Sequence, residues 1–258
     1  MRSIWKGAIA FGLVNVPVKL FSATQESSLD LDMLDKKDHS NIKFKRVNAE
    51  TGKEVEYKDI VKGYNLDGRY VILEEADFKA ANPEKTQTIM IDNFVDEDKV
   101  DTIYYESPYY LEPEKSGSHA YALLCEALKK TKKVGIATVV LRNKEHLAVL
   151  KPYGKVLVLN MIRFDEEIRA TESLEIPTTT KVKPQEMQMA IALMDHMSHP
   201  FDIKEFKDNY ASELMKVIKA KAKGKAPRII PAKKVETRTH DLMEQLKSSL
   251  KASRKKAA

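Results

Sequence analysis

Cysteine is almost absent from this chain: one thiol, Cys125, in 258 residues. No intrachain disulfide can form, so the fold must be held by its core, and a reducing compartment is the expected setting. Cys125 itself lies in the run Ala120-Tyr-Ala-Leu-Leu-Cys125-Glu-Ala-Leu128, whose apolar spacing reads as a helix face packed in a core. Long hydrophobic runs are also missing; nothing approaches the roughly 18 continuous apolar residues of a helical membrane span. Arg2 and Lys6 ahead of the apolar stretch from Ala8 to Val18 imitate a secretion signal. Gly12, Asn15 and Pro17 interrupt that stretch, and Ser22-Ala23-Thr24 is a poor cleavage site, so a cytoplasmic protein whose mature chain begins at Met1 is expected.

Enzyme signatures are scarce. The closest approach to a phosphate loop, Gly63-Tyr-Asn-Leu-Asp-Gly68-Arg69, lacks the lysine and hydroxyl that would hold phosphate and magnesium; Asn65-Leu-Asp-Gly68 reads instead as a hairpin turn between strands. Histidine is rare, and His196 and His199 stand three apart without a recognisable third ligand, which favours a surface or helix-end role over a metal site. The acidic clusters Asp96-Glu-Asp98 and Asp165-Glu-Glu167 could hold magnesium for phosphodiester hydrolysis, but adjacent loop acids are ordinarily a solvated face. The expectation is a protein that is no enzyme and carries no cofactor or metal.

What is abundant is charge, unevenly placed. Met215–Ala258 holds 14 Lys or Arg against 3 acidic residues, +11, while the rest of the chain holds 30 against 35, −5. A basic tail on a mildly acidic body points to a polyanion, because cations beside phosphates release condensed counterions; an anionic membrane surface would satisfy the same charges, and a solvated terminus that keeps the protein soluble is the plain alternative. Within the body, Ile42-Lys43-Phe44-Lys45-Arg46 alternates apolar and cationic residues, as a strand placing Lys43 and Lys45 on one face would. Lys36, Lys37 and Lys53 flank it, diluted by Glu50, Glu54 and Glu56. A second concentration runs from Lys129 to Lys155, with Arg142 and Lys144 in an apparent hairpin turn.

Strand patterns dominate the first two thirds: Ile4 to Phe21, then Ile42–Phe44, Arg69–Leu73, Thr86–Phe94, Ile103–Tyr105, Gly135–Arg142, His146–Pro152 and Val156–Arg163. Repeated short strands predict a barrel or sandwich. Helical patterns cover His119–Lys132, Lys183–Ser198, Phe201–Lys221 and Thr239–Leu250; in the third, Phe206, Tyr210, Leu214, Val217 and Ile218 form an apolar face that needs a partner surface. Between the last two, the Pro- and Lys-rich residues 223–238 read as a linker.

Residue by residue, Arg2-Ser-Ile-Trp5-Lys6-Gly7-Ala-Ile-Ala-Phe11-Gly12-Leu-Val-Asn15-Val-Pro17-Val-Lys19-Leu20-Phe-Ser-Ala-Thr24 resembles the opening of bacterial Ku proteins. The likeness continues through Asp59-Ile-Val-Lys62-Gly63-Tyr64, Tyr104-Tyr105-Glu-Ser-Pro108-Tyr-Tyr-Leu-Glu-Pro113, Leu141-Arg142-Asn143-Lys144 and Asp241-Leu-Met-Glu-Gln-Leu-Lys-Ser-Ser-Leu250, so it spans nearly the whole chain. The resemblance implies a mainly β fold with α: a β-barrel core with an inserted bridge at about 27–62, helical dimerisation arms at about 183–222 within a core of residues 1–222, and two copies closing into a ring-shaped homodimer. It further implies sequence-independent binding of double-stranded DNA ends, no nucleotide-binding or catalytic site, and recruitment of the ATP-dependent ligase D for non-homologous end joining.

On that resemblance, Lys36, Lys37, Lys43, Lys45, Arg46, Lys53, Arg142 and Lys144 are the expected phosphate contacts, which position a protein without specifying sequence. The helix and short basic tail at 239–258, with Leu242, Met243, Leu246 and Leu250 on one face, match the family's ligase-recruiting element, for which docking of a helix in a groove is the natural mode; packing back on its own dimer is the alternative. Some relatives carry a Cys-x-x-Cys suited to zinc ahead of a Gly-x-x-Val in the bridge. Here that stretch is Val47-Asn48-Ala-Glu-Thr51-Gly52-Lys-Glu-Val55, and Asn48 and Thr51 cannot form a thiolate site, so a metal-free bridge held by backbone pairing is expected.

Overall fold

The computed structural model describes residues 1–25, 29–81, 87–142, 144–176, 182–225 and 242–256. The chain divides into two units, one of Met1–Glu26 with Asp30–Ala170 and one of Ser27–Leu29 with Thr171–Ala258.

Among the described residues of the first unit, nine strands form in chain order: β1 (Trp5–Phe11), β2 (Val14–Ser22), β3 (Lys62–Leu66), β4 (Arg69–Leu73), β5 (Thr88–Asp96), β6 (Tyr105–Pro113), β7 (Lys133–Leu141), β8 (Lys144–Tyr153) and β9 (Val156–Ile162). Seven close into a barrel in the order β1-β2-β6-β9-β8-β7-β5, as the mainly β reading expected, and β3 and β4 form a separate hairpin. Closure is made by the one parallel pairing of the barrel, in which Ala8, Ile9 and Ala10 lie beside Thr88, Ile89 and Met90. Everything from Ala23 to Gln87 is thus an insertion between barrel strands.

Period-two alternation fills the barrel. Ile9, Val16, Val18, Leu20, Ile89, Leu111, Val139, Leu150, Leu157 and Leu159 point inward and are fully or almost fully buried. A smaller cluster around Val134, Val149 and Ile162 lies on the outer face.

Among the described residues this unit has two α-helices: α1 (Glu75–Ala81), which the sequence reading missed, and α2 (Ser118–Thr131). The expected core face of α2 is present, with Tyr121, Leu124, Cys125 and Leu128 buried at three- and four-residue spacing. These side chains join the barrel core at the end where Leu111 finishes β6 and Leu157 begins β9, so α2 closes that mouth. The Tyr121 hydroxyl donates to the Leu111 carbonyl and accepts from the Leu157 N–H, each at 2.6 Å, inside this closure.

Three sequence expectations need correction. Ile42–Phe44 is not a strand: among the described residues it has no ladder partner, and the chain on either side carries the isolated bridges Leu34–Asn41 and Val47–Glu54. Ile103–Tyr105 is mostly a 3-10 turn (Thr102–Tyr104), capped by the Asp101 carboxylate on the Ile103 N–H at 3.0 Å, and the strand starts where that turn ends. Leu13, inside the strand pattern read from Ile4 to Phe21, instead sits fully exposed at the β1–β2 turn. The Asn65–Gly68 hairpin turn is as expected: Asp67 and Gly68 have φ of 49° and 86°, and the Asn65 side chain accepts the Gly68 N–H at 2.9 Å.

The second unit contains α3 (Pro184–Met197), α4 (Asn209–Ala222) and α5 (Leu242–Lys256). Proline at the first position and Glu186 accepting from the Lys183 N–H start α3, and Asp208 accepting from the Ala211 N–H starts α4. Because Asp208 caps the chain there, the helix expected from Phe201 begins only at Asn209; ahead of it Phe201 and Phe206 stack on each other at 5.8 Å. Neither α3 nor α4 has a single buried residue, and α5 packs against α3. The linker expected at 223–238 lies, beyond Lys225, outside the described residues.

Candidate nucleic-acid interface

Six of the eight expected phosphate contacts lie on the inserted arm, residues 29–62. None of its residues is buried, and only Leu29, Asp35 and Val55 are partly covered. With no core of its own, the arm takes its shape from backbone and Asx turns. Around Lys36 and Lys37, the Asp35 N–H donates to the Ser40 carbonyl, the His39 N–H to the Asp35 carbonyl, and the Asp35 and Asp38 carboxylates accept from the Lys37 and Ser40 N–H groups at 2.7 and 2.9 Å. Hydrogen bonding from Ser40 holds the Asp38 carboxyl below its ordinary range.

The second turn occupies the stretch where zinc-binding relatives were expected to differ. The Asn48 side-chain oxygen accepts from both the Glu50 and Thr51 N–H groups at 3.0 Å, and the Asn48 N–H donates to the Lys53 carbonyl at 2.8 Å. The Asn48 carbonyl takes the Gly52 N–H at 2.9 Å, with Gly52 at φ 67°. This is backbone pairing closed by an Asx turn, a role for which asparagine is chemically suited.

Lys43 and Lys45 do not share a strand face, because Ile42 and Phe44 are 45% and 81% exposed and no buried face opposes them. What the arm does present is a row of accessible cations. Lys36, Lys37, Lys43 and Lys53 make no ion pair among the described residues. Lys45 meets Glu54 at 2.6 Å with both side chains more than half exposed, so water screens the pair and holding it contributes at most about 1 kcal/mol. Arg46 lies over the Tyr57 ring at 5.2 Å, which orients the guanidinium without neutralising it.

Arg142 and Lys144 stand apart from the arm at the β7–β8 turn. Arg142 is exposed in a left-handed conformation, φ 52°, and Lys144 reaches Glu167 at 3.5 Å. The Glu167 carboxylate also accepts the Phe164 N–H, and that hydrogen bond, opposed in part by burial and reinforced by Lys144, holds its pKa below the ordinary value.

The turn forms part of a recess of about 330 Å³ lined by Ile4, Trp5, Tyr109, Leu141, Arg142, Lys144, His146 and Met161. Sequence reading did not assemble this group, since its members come from five strands; the blocks around Trp5, Tyr109 and residues 141–144 were its separate traces.

The acidic clusters are engaged with the protein itself. Asp96 pairs with Lys133 at 3.0 Å, Glu97 with Lys151 at 2.7 Å, and Asp165 accepts from the Tyr104 hydroxyl at 3.2 Å. Among the described residues no group of three or more His, Cys, Asp or Glu side chains is arranged to hold a metal, and no helix is long and apolar enough to cross a membrane.

On the expected recruiting helix, Met243, Leu246 and Leu250 are partly covered while the residues between them are exposed, consistent with an apolar stripe on α5; Leu242 opens the helix, and its side chain lies outside the described residues.

The family model described as the Ku70/Ku80 beta-barrel domain matches residues 10–191. Proteins named non-homologous end joining protein Ku are similar along nearly the full chain. The one from Coxiella burnetii is 40% identical, over 98% of this chain and 96% of its own. Those from Opitutus terrae and Pseudomonas aeruginosa are 42% and 40% identical, over 97% of this chain and 91% and 88% of theirs. A closed seven-strand barrel carrying a long insertion, matched by a barrel-domain model over most of its length and by relatives across almost all of it, belongs to the Ku family.

Proposed function

We propose that the chain acts in repair of double-strand breaks by non-homologous end joining, as a homodimer that encircles duplex DNA at its ends and recruits ligase D. The family named in its relatives supports the process. The observation that carries the DNA-binding part is the arm: an insertion of some thirty ordered residues that buries nothing, is shaped by turns, and offers unpaired cations to solvent. Such a segment serves no packing purpose in the barrel, and its lysines suit sugar–phosphate contact independent of sequence. Lys36, Lys37, Lys43, Lys45, Arg46 and Lys53 carry this contact, with Arg142 and Lys144 adding a second patch.

The homodimer is supported by the second unit. Met187, Ile191 and Met194 on α3, Phe206 just ahead of α4 and Tyr210 in its first turn are 48% to 77% exposed in one chain. Apolar surface of this extent on helices without a buried residue is what an association interface leaves when the partner is absent. The stripe of Leu242, Met243, Leu246 and Leu250 is the ligase-docking face.

Retention of linear against closed circular duplex of one sequence tests the clamp. A ring loaded at ends holds the linear form only; equal retention of both would mark a groove-reading binder and refute the proposal. Shortening of the DNA once magnesium is added would mark a nuclease and refute it equally.

A further inference from the structure

The two mouths of the barrel differ. At one, α2 inserts Tyr121, Leu124 and Leu128 and seals the core. At the other, where β1 and β8 begin and β7 and β9 end, no helix among the described residues of this unit covers the interior, and the recess remains. Strand alternation decides what faces it. The phase that points Ala148 and Leu150 into the barrel also points His146 and Lys144 inward, just above the core. By the same rule Trp5, two turns of the pleat before Ile9, and Tyr109, two residues before Leu111, are inward residues packed on the core cluster. Met161 forms the floor, and Arg142 stands at the lip.

Two aromatic rings under a lip of Arg142, Lys144 and His146 form a mixed site whose chemistry is not that of a buried plug. A plug needs no cations, and a phosphate-tracking surface needs no inward rings. Gly7 contributes as well: a Cβ there would collide with the Trp5 ring and with the Gln87 carbonyl, so the indole is laid against the bare backbone of Gly7. The volume is at the lower end of small-ligand sites, on the order of 300 Å³, which suits a single planar base with its phosphate rather than a run of nucleotides.

We infer that this recess binds one unpaired nucleotide, its base against Trp5 and Tyr109 and its phosphate at Arg142 and Lys144. The unpaired base at a frayed or overhanging DNA end is the source that follows if the chain binds ends, so that part rests on the function proposed above; a free mononucleotide offers the same chemistry. Binding by stacking is tolerant of base identity, because every base has a π-face. A protein receiving arbitrary breaks would thereby sense whether an end is blunt.

Trp5 is the only tryptophan of the chain, which makes its fluorescence a direct readout. Full-length protein is excited at the red edge, where tyrosine does not absorb, and titrated with a blunt hairpin duplex, the same hairpin carrying a three-nucleotide overhang, and deoxyadenosine monophosphate alone. The overhang quenches Trp5 emission where the blunt hairpin does not, and it binds roughly tenfold tighter, as one stacked base would provide. Tyr109→Leu brings the overhang-to-blunt affinity ratio to about one. Arg142→Asn, whose side chain tolerates the left-handed backbone of this exposed turn, weakens quenching by the mononucleotide several-fold and guards against loss of folding in the Tyr109 variant. Quenching by the mononucleotide while neither hairpin quenches supports the recess and assigns it to free nucleotides. Equal quenching by blunt and overhanging hairpins, or none by any of the three, overturns the inference. Failure of every DNA to bind while the mononucleotide still quenches refutes end binding and leaves the recess standing.

Discussion

Replacing Tyr121 by Phe removes one oxygen and two hydrogen bonds from the sealed mouth of the barrel. The Leu111 carbonyl and the Leu157 N–H that meet at that oxygen belong to residues paired across β6 and β9, whose side chains are 1% and 0% exposed. Phenylalanine fills the same volume but pairs with neither group. A buried polar group left without a partner costs about 1–3 kcal/mol, so two of them give an expected loss of about 2–4 kcal/mol once some relaxation is allowed. The adjoining cavity of about 870 Å³, lined in part by Tyr121, Leu111 and Val156, gives water a route toward one of the freed groups, which places the expectation at the lower half of that range. Urea unfolding of wild type and Tyr121→Phe measures it as a lower midpoint with unchanged slope. A loss under about 0.5 kcal/mol would mean that the hydroxyl does not bridge the two strands and that the closure rests on Leu124 and Leu128 alone.

The same residue makes a pH prediction with a definite sign. Burial raises the Tyr121 pKa, with the Leu157 N–H opposing in part. A raised value in the fold favours the neutral phenol, so its contribution is complete below the unfolded pKa of about 10 and is lost as pH rises through the folded one. The difference in stability between wild type and Tyr121→Phe therefore shrinks as pH is taken above 10; a constant difference to high pH would contradict the burial of the group.

The barrel was legible where strands are buried on alternate residues and bounded by turns. β7, β8 and β9 follow the apolar phase of Val139, Leu150 and Leu159, and each boundary fell within a few residues. β6 was hidden because Pro108 and Pro113 lie in it and, apart from the buried Leu111, its apolar side chains are half-covered tyrosines mixed with Glu106 and Glu112; it stands out in the sequence only as a family motif. Ile42–Phe44 failed for the opposite reason: local alternation was present, but a strand also needs a partner, and the arm has none. The missed helix α1 is only seven residues long, too short for periodicity to register.

For the candidate interface, charge was readable and geometry was not. The arm's cations could be picked out because lysines cluster in sequence. Nothing in the sequence says that Lys45 meets Glu54 while Lys43 meets no carboxylate, since that depends on the turn closed by Asn48. The recess was invisible for a deeper reason. Trp5 and His146 are brought together by the parallel β1–β5 pairing that closes the barrel, a contact across the whole insertion. Such long-range closure has no local signature.

The arm predicts two further outcomes. Replacing Lys43, Lys45 and Arg46 together by Ala lowers the slope of log affinity against log salt by up to about 2.7 if each neutralises one phosphate; an unchanged slope removes them from the contact surface. Asn48→Ala deprives the Glu50 and Thr51 N–H groups of their acceptor at an exposed turn, so amide exchange at those two residues accelerates while the midpoint of barrel unfolding stays put. A drop in that midpoint would show the arm and barrel unfolding as one unit. The last prediction concerns Gly7, the tightest point of the open mouth. A methyl group there meets the Gln87 carbonyl, which already accepts the Ala8 N–H at 3.0 Å, and the indole of Trp5. The carbonyl is main chain at the β1–β5 closure and cannot give without opening the one parallel seam; the ring can turn aside. Gly7→Ala thus costs about 1–3 kcal/mol if only the ring moves, and more if the seam yields. Trp5 fluorescence separates these cases, because a displaced indole shifts its emission while the barrel remains folded. A variant as stable as wild type with an unchanged spectrum would show that the indole does not lie on Gly7, and the aromatic wall of the recess would fall with it.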